Sequence, residues 1–136
     1  MIAFAGPIVR RVEPRLAAVW VATDSPCLVT LDIFRDLQTA PSLPTPQFSC
    51  GARAVRVGAK LYAALVVADL KDPAQPLLPE AIYSYNLTFL PDGGGSETLQ
   101  SLGLLTDRST PKPHLALGYG NNVLPSFVLP PRQLKD

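Results

Sequence analysis

The stretch Ile82-Tyr83-Ser84-Tyr85-Asn86-Leu87-Thr88-Phe89 alternates large apolar and small polar residues without a break. Successive side chains of a strand point to opposite sides. Tyr83, Tyr85, Leu87 and Phe89 therefore share one face, and Ser84, Asn86 and Thr88 the other. A helix would spread the same residues around its circumference, so this segment dictates a half-buried strand. Cys27 to Ile33 repeats the pattern, with Val29, Leu31 and Ile33 on one side and Thr30 and Asp32 on the other. Fifteen prolines and nine glycines break the chain at short intervals and leave little room for long helices.

Further strands are expected at Ile8 to Val12, Arg15 to Ala22, Ala52 to Val57, Leu61 to Ala68 and Leu115 to Tyr119. Turns fit at Glu13-Pro14, Asp24-Ser25-Pro26 and Asp92-Gly93-Gly94-Gly95, and Pro41 to Gln47 reads as a loop that cannot carry a continuous ladder. One short helix is expected from Ser96, with Glu97 in its first turn, Leu99 and Leu102 one turn apart, and Gly103 as its stop. About seven closely spaced strands and hardly any helix read as an all-β antiparallel sandwich. Two strands, RLAAVWVA at 15–22 and LYAALVVA at 61–68, are apolar on both faces. Either small residues are tolerated on a wet outer face, or that face meets a second surface, such as another domain.

Composition excludes several classes. An apolar fraction of 47% against 17% charged places the chain among globular sequences. The formal net charge of +1 comes with scattered arginines, so no basic patch for nucleic acid or an anionic membrane is expected. No run approaches the ~18 apolar residues of a membrane span. MIAFAGPIVRRVEP has neither Sec nor twin-arginine character, so the expected compartment is the cytoplasm. Cys27 and Cys50 can pair only if the fold brings them together.

Residues for chemistry are sparse. His114, between Pro113 and Leu115, is the only histidine, and no CxxC, HxxxH or GxSxG is present. Gly93-Gly94-Gly95 lacks the following lysine of a phosphate loop and reads as a flexible turn. Asn86-Leu87-Thr88 is a glycosylation sequon placed mid-strand, and Pro41-Ser42-Leu43-Pro44 has polyproline-ligand spacing but reads as loop. Arg10-Arg11 falls in the first expected strand, where neighbours face opposite ways. The pair either guards a sheet edge or sends one side chain into an inter-domain ion pair.

Leu77-Leu78-Pro79-Glu80-Ala81-Ile82-Tyr83 resembles the turn into the sixth strand of fibronectin type III domains, within the immunoglobulin-like sandwiches. There a tyrosine hydroxyl bonds back to upstream backbone. Ala81 stands where that family usually has threonine. The resemblance implies a structural core built on Trp20 and Tyr83 with Pro79 in the turn. Over nearly the whole chain, "GPIVRRVEPRLAAVWVA", "LVTLDIF", "GARAVRVGAKLYAALVVADL", "LPEAIYSYNLTF" and "LGYGNNVLPSFVLPP" resemble the N-terminal region of PhoD-like phosphatases, the alkaline phosphatase D family. In that family such a sandwich precedes a metal-dependent phosphoesterase domain, and the "LPSF.LPP" run connects the two.

The resemblance implies a sandwich over 1–123 and a proline-rich linker over 124–136 leading to a C-terminal catalytic domain. Arg10, Arg11, Phe127 and Leu129 are then candidate inter-domain contacts. The metal-binding Asp, Asn and His motifs of the catalytic domain do not occur in these 136 residues. No catalytic residue, metal ligand or cofactor is therefore carried over, and the expected role is that of a non-catalytic module whose partner is the phosphatase domain of the same polypeptide. The alternative expectation is a stand-alone protein- or glycan-binding module, whose signature would be aromatic side chains exposed on one face.

Overall fold

The computed structural model describes residues 1–70, 76–105 and 122–130. Among the described residues nine strands form two antiparallel sheets: β1 (Ala3–Glu13), β2 (Leu16–Thr23), β3 (Cys27–Arg35), β4 (Phe48–Arg53), β5 (Val55–Gly58), β6 (Leu61–Asp69), β7 (Ile82–Pro91), β8 (Glu97–Thr98) and β9 (Ser126–Val128). The first sheet has the order β1-β2-β6-β5. The second runs β4-β3-β7-β8, with β9 also on β7. The expected strand at Leu115 to Tyr119 and His114 lie outside the described residues.

The alternation in β3 and β7 sets the sandwich. Val29, Leu31 and Ile33 face Tyr85, Leu87 and Phe89 across a continuous ladder, and all six are buried. The first sheet answers with smaller residues, Ala17, Val19 and Val21 from β2 and Ala64, Val66 and Ala68 from β6. Large side chains against small ones let two sheets interdigitate at close-packed density. Ser84, on the other face of β7, is also buried, and its hydroxyl donates to the Asp36 carbonyl at 2.8 Å. Cys27 and Cys50 are both free.

The stretch expected as one strand, 52–57, is two. The β4 ladder ends at Arg53, the Ala54 N–H donates to the Cys27 carbonyl at 2.9 Å, and β5 continues in the other sheet. The short helix is a correction: no helix forms between Ser96 and Gly103. Glu97 and Thr98 pair with Phe89 and Thr88 as β8, so the chain cannot turn helical at Ser96. Thr98 becomes the cap instead. Its Oγ1 accepts the Ser101 N–H at 3.2 Å, its carbonyl accepts the Leu102 N–H at 2.9 Å, and Gly103 at φ +74° ends the turn. The signals were real, but they enclose a single turn, too short to offset helix nucleation.

The described part of the 124–136 segment belongs to the sandwich. β9 pairs Phe127 with Tyr83 and Val128 with Ile82. Leu124 is buried, and the Pro125 carbonyl accepts the Tyr85 N–H at 3.0 Å. β8 and β9 occupy the same edge of β7, one at each end, as two halves of one edge strand.

Candidate interaction surface

The outer face of the first sheet is built from the residues that the core does not use. In β2 the inward set is Ala17, Val19 and Val21, which leaves Leu16, Ala18, Trp20 and Ala22 outside. In β6 the inward set is Ala64, Val66 and Ala68, which leaves Ala63, Leu65 and Val67 outside. Registers align these residues in rows across the sheet: Ile8 beside Trp20 beside Leu65, and Arg11 beside Ala18 beside Val67. Ile8 is 45%, Leu65 51% and Val67 43% exposed. Together with Leu16 and Trp20 they line an open concavity of about 720 Å³ bordered by Arg10 and Arg11.

The hollow follows from irregular pairing of β1 with β2. Register shifts fall between Ala3 and Ala5, Ala5 and Ile8, and Val9 and Arg11. Such bulges bend a strand and increase its local twist. Gly6 is one cause. Its φ is +82°, and a Cβ there would lie 2.7 Å from the Trp20 carbonyl oxygen. Pro7 follows, tolerated because β1 is an edge strand. The shift after Val9 also corrects the alternation expected at the arginine pair. Arg10 is the extra residue, and both Arg10 and Arg11 border the same hollow. Arg11 donates to the Glu13 carboxylate at 3.0 Å, whereas Arg10 has no ion pair among the described residues.

Trp20 is a second correction. It is half-buried on the outer face, outside the core, and does not pair with Tyr83. Periodicity cannot settle this, because β2 is apolar in both phases; only the registers with β1 and β6 do. Ile8, Leu65 and Val67 were missed for the same reason. Tyr83 is fully buried as expected, and its hydroxyl accepts the Leu78 N–H at 2.8 Å. Phe127 stacks on its ring at a centroid distance of 5.8 Å, and the Arg35 guanidinium lies 5.6 Å from the ring centre.

Pro79 is exposed, so it is not core. It bridges to Leu129 at the rim of a smaller cleft of about 370 Å³ between Pro14, Leu77, Leu78 and Pro130. Phe127 and Leu129, the other two candidates for contacts with another domain, pack within the sandwich: Phe127, partly exposed, lies on Tyr83 and Tyr85, and Leu129 is buried in the core. Their alternation with exposed Val128 is that of an edge strand.

A family model for a domain of unknown function, DUF7800, matches residues 3–77, more than half of the chain. The chain belongs to the DUF7800 family. No curated protein and no solved structure matches it. The part that matches the DUF7800 model contains β1 to β6, and with them the whole apolar outer face; β7 to β9 lie beyond it.

The titratable groups of this DUF7800 chain whose behaviour is displaced lie away from that face. Burial pushes the Tyr85 phenol well above its ordinary range and raises the Cys27 and Cys50 thiols. The Ile2 N–H, donating at 2.7 Å, and the Ser25 hydroxyl lower Asp24. Among the described residues no three His, Cys, Asp or Glu side chains gather where a metal ion could sit. No helix among them is long and apolar enough to cross a membrane. What the face can do is exclude water against a complementary apolar surface, with two guanidinium groups at its border.

Proposed function

We propose that this chain is a non-catalytic β-sandwich module of a PhoD-like metal-dependent phosphoesterase, and that it packs by the outer face of its first sheet against the catalytic domain of the same polypeptide. The observation that carries the reading is the row Ile8-Trp20-Leu65 with its apolar neighbours, which no described element covers, on a sheet whose other face fills the core. A sandwich with one wet face normally places polar residues there. Two features support the immunoglobulin-like assignment beneath it. The order β1-β2-β6-β5 against β3-β7 is that of the ABED and CF strands of such sandwiches, and the Tyr83 hydroxyl takes a backbone N–H upstream, as in a tyrosine corner. Outward-facing Trp20 departs from the tryptophan–tyrosine core expected of a fibronectin type III domain. The two free thiols fit a cytoplasmic setting.

The test is to read the gene past Asp136 and assay its product. A continuation with Asp, Asn and His metal motifs is expected, and the continued polypeptide should hydrolyse a chromogenic phosphate ester when supplied with divalent metal. Residues 1–136 alone should give no turnover. A stop codon after Asp136, or turnover by 1–136, contradicts the reading.

One observation favours a second reading. Trp20 at the surface is the kind of aromatic that a glycan-binding module displays. Its neighbours argue against it: Ile8 and Leu65 flank Trp20 in its row, where a sugar site needs several converging polar groups. Binding on a glycan array that is lost in Trp20→Ala would restore this alternative.

A further inference from the structure

We infer that Trp20 is the anchor of the inter-domain contact and that Arg10 receives a carboxylate from the catalytic domain at its border; this rests on the module reading above. Three observations combine. The ring is central, with Ile8 and Leu65 on either side in the register and Arg10 and Arg11 lining the same hollow. Interfaces concentrate their binding energy in such central aromatics and in arginines at desolvated positions. The two arginines differ: Arg11 is already tied to Glu13, and Arg10 forms no ion pair among the described residues.

The bulge makes the difference functional. Without the extra residue after Val9, two consecutive arginines would sit on opposite faces of β1; with it, both border the hollow. A guanidinium is planar, offers a fork of donors and matches a carboxylate in two parallel hydrogen bonds. The occupant is therefore a protein surface that is apolar at its centre and carries an Asp or Glu where it meets Arg10. Self-association through this face is disfavoured, because a second copy would bring its own arginines to the contact. A sugar is disfavoured by the aliphatic flanks of Trp20.

The experiment uses the polypeptide that continues past Asp136, alongside residues 1–136 alone. Arg10→Glu, Arg10→Lys and Trp20→Ala are introduced into both. In 1–136, Arg10→Glu should leave the thermal midpoint unchanged, since the side chain is exposed. In the continued polypeptide, Trp20→Ala should speed proteolytic cleavage between the two domains by about tenfold or more, as loss of a central anchor implies, and Arg10→Glu, which opposes like charges at the border, should speed it by about threefold or more. Arg10→Lys should restore part of the protection. A carboxylate-to-lysine change in the catalytic domain should rescue Arg10→Glu. The inference is overturned if the continued polypeptide hydrolyses phosphate esters while Arg10→Glu and Trp20→Ala leave its cleavage rate unchanged; the module reading then survives. If it carries no hydrolase activity, the module reading and this inference fall together. Dimerisation of 1–136 that Trp20→Ala abolishes also overturns it.

Discussion

Tyr83 shows how much one residue can fix. Its ring is fully buried between Phe127 and the Arg35 guanidinium, and its hydroxyl satisfies the Leu78 N–H at the turn into β7. Tyr83→Phe keeps the packing but leaves that donor unpaired. It should cost about 1–2 kcal/mol, read as a lower urea midpoint at unchanged slope. Tyr85, two residues on, gives a pH prediction. Burial raises its phenol above the ordinary value of 10.0. At high pH the unfolded chain loses this proton while the folded chain keeps it. The stabilising contribution is therefore complete below about pH 10 and is lost as pH rises further. The raised Cys27 thiol acts with the same sign from somewhat lower pH. Denaturant titrations from pH 8 to 11 should show stability falling at the alkaline end, with a shallower fall in Tyr85→Phe. An equal fall in both proteins would remove Tyr85 as a cause. Both tyrosines were readable from alternation alone. Trp20 was not, since a strand apolar on both faces has no phase to read.

Among the elements, β3 and β7 were written plainly in the sequence, because one of their faces is polar. β1 was expected from Ile8 but starts at Ala3, since its bulges interrupt the alternation that would have revealed the first half. The glycine at the first of these irregularities is required. Gly6→Ala would place a methyl against the Trp20 carbonyl at a positive φ, and should destabilise the chain by about 1–3 kcal/mol. β9 could not be seen as a strand. Three residues between prolines carry no period, and its partner is β7, some forty positions earlier in the chain. Its placement makes a prediction that a free linker would not. Phe127→Ala should lower stability by about 2 kcal/mol, less than for a fully buried ring because Phe127 is only partly buried. A midpoint unchanged from the parent protein would mean that β9 does not fasten 124–130 to the sandwich.

Over the whole molecule, the two sheets differ in what their outer faces carry. On the side away from the core the second sheet carries Thr30, Asp32 and Thr88, with Ser84 and Asn86 buried there and Leu28 beside Leu90 exposed at one end. The first presents Ile8, Trp20, Leu65 and Val67. An ordinary water-facing sheet has no need of the second set, and a contiguous exposed apolar face of this kind marks a contact with another surface. The sequence already contained the choice between tolerated small residues and a second contact surface. What it lacked was the register that brings the large residues, rather than the alanines, into one row. The most direct measurement is hydroxyl-radical footprinting of Ile8, Trp20, Leu65 and Val67 in residues 1–136 and in the longer polypeptide that the proposed function requires. The account predicts that all four are oxidised in the short chain and protected in the long one, while Leu28 and Val128, exposed on the second sheet, react alike in both. Equal oxidation of the four residues in the two chains would contradict it.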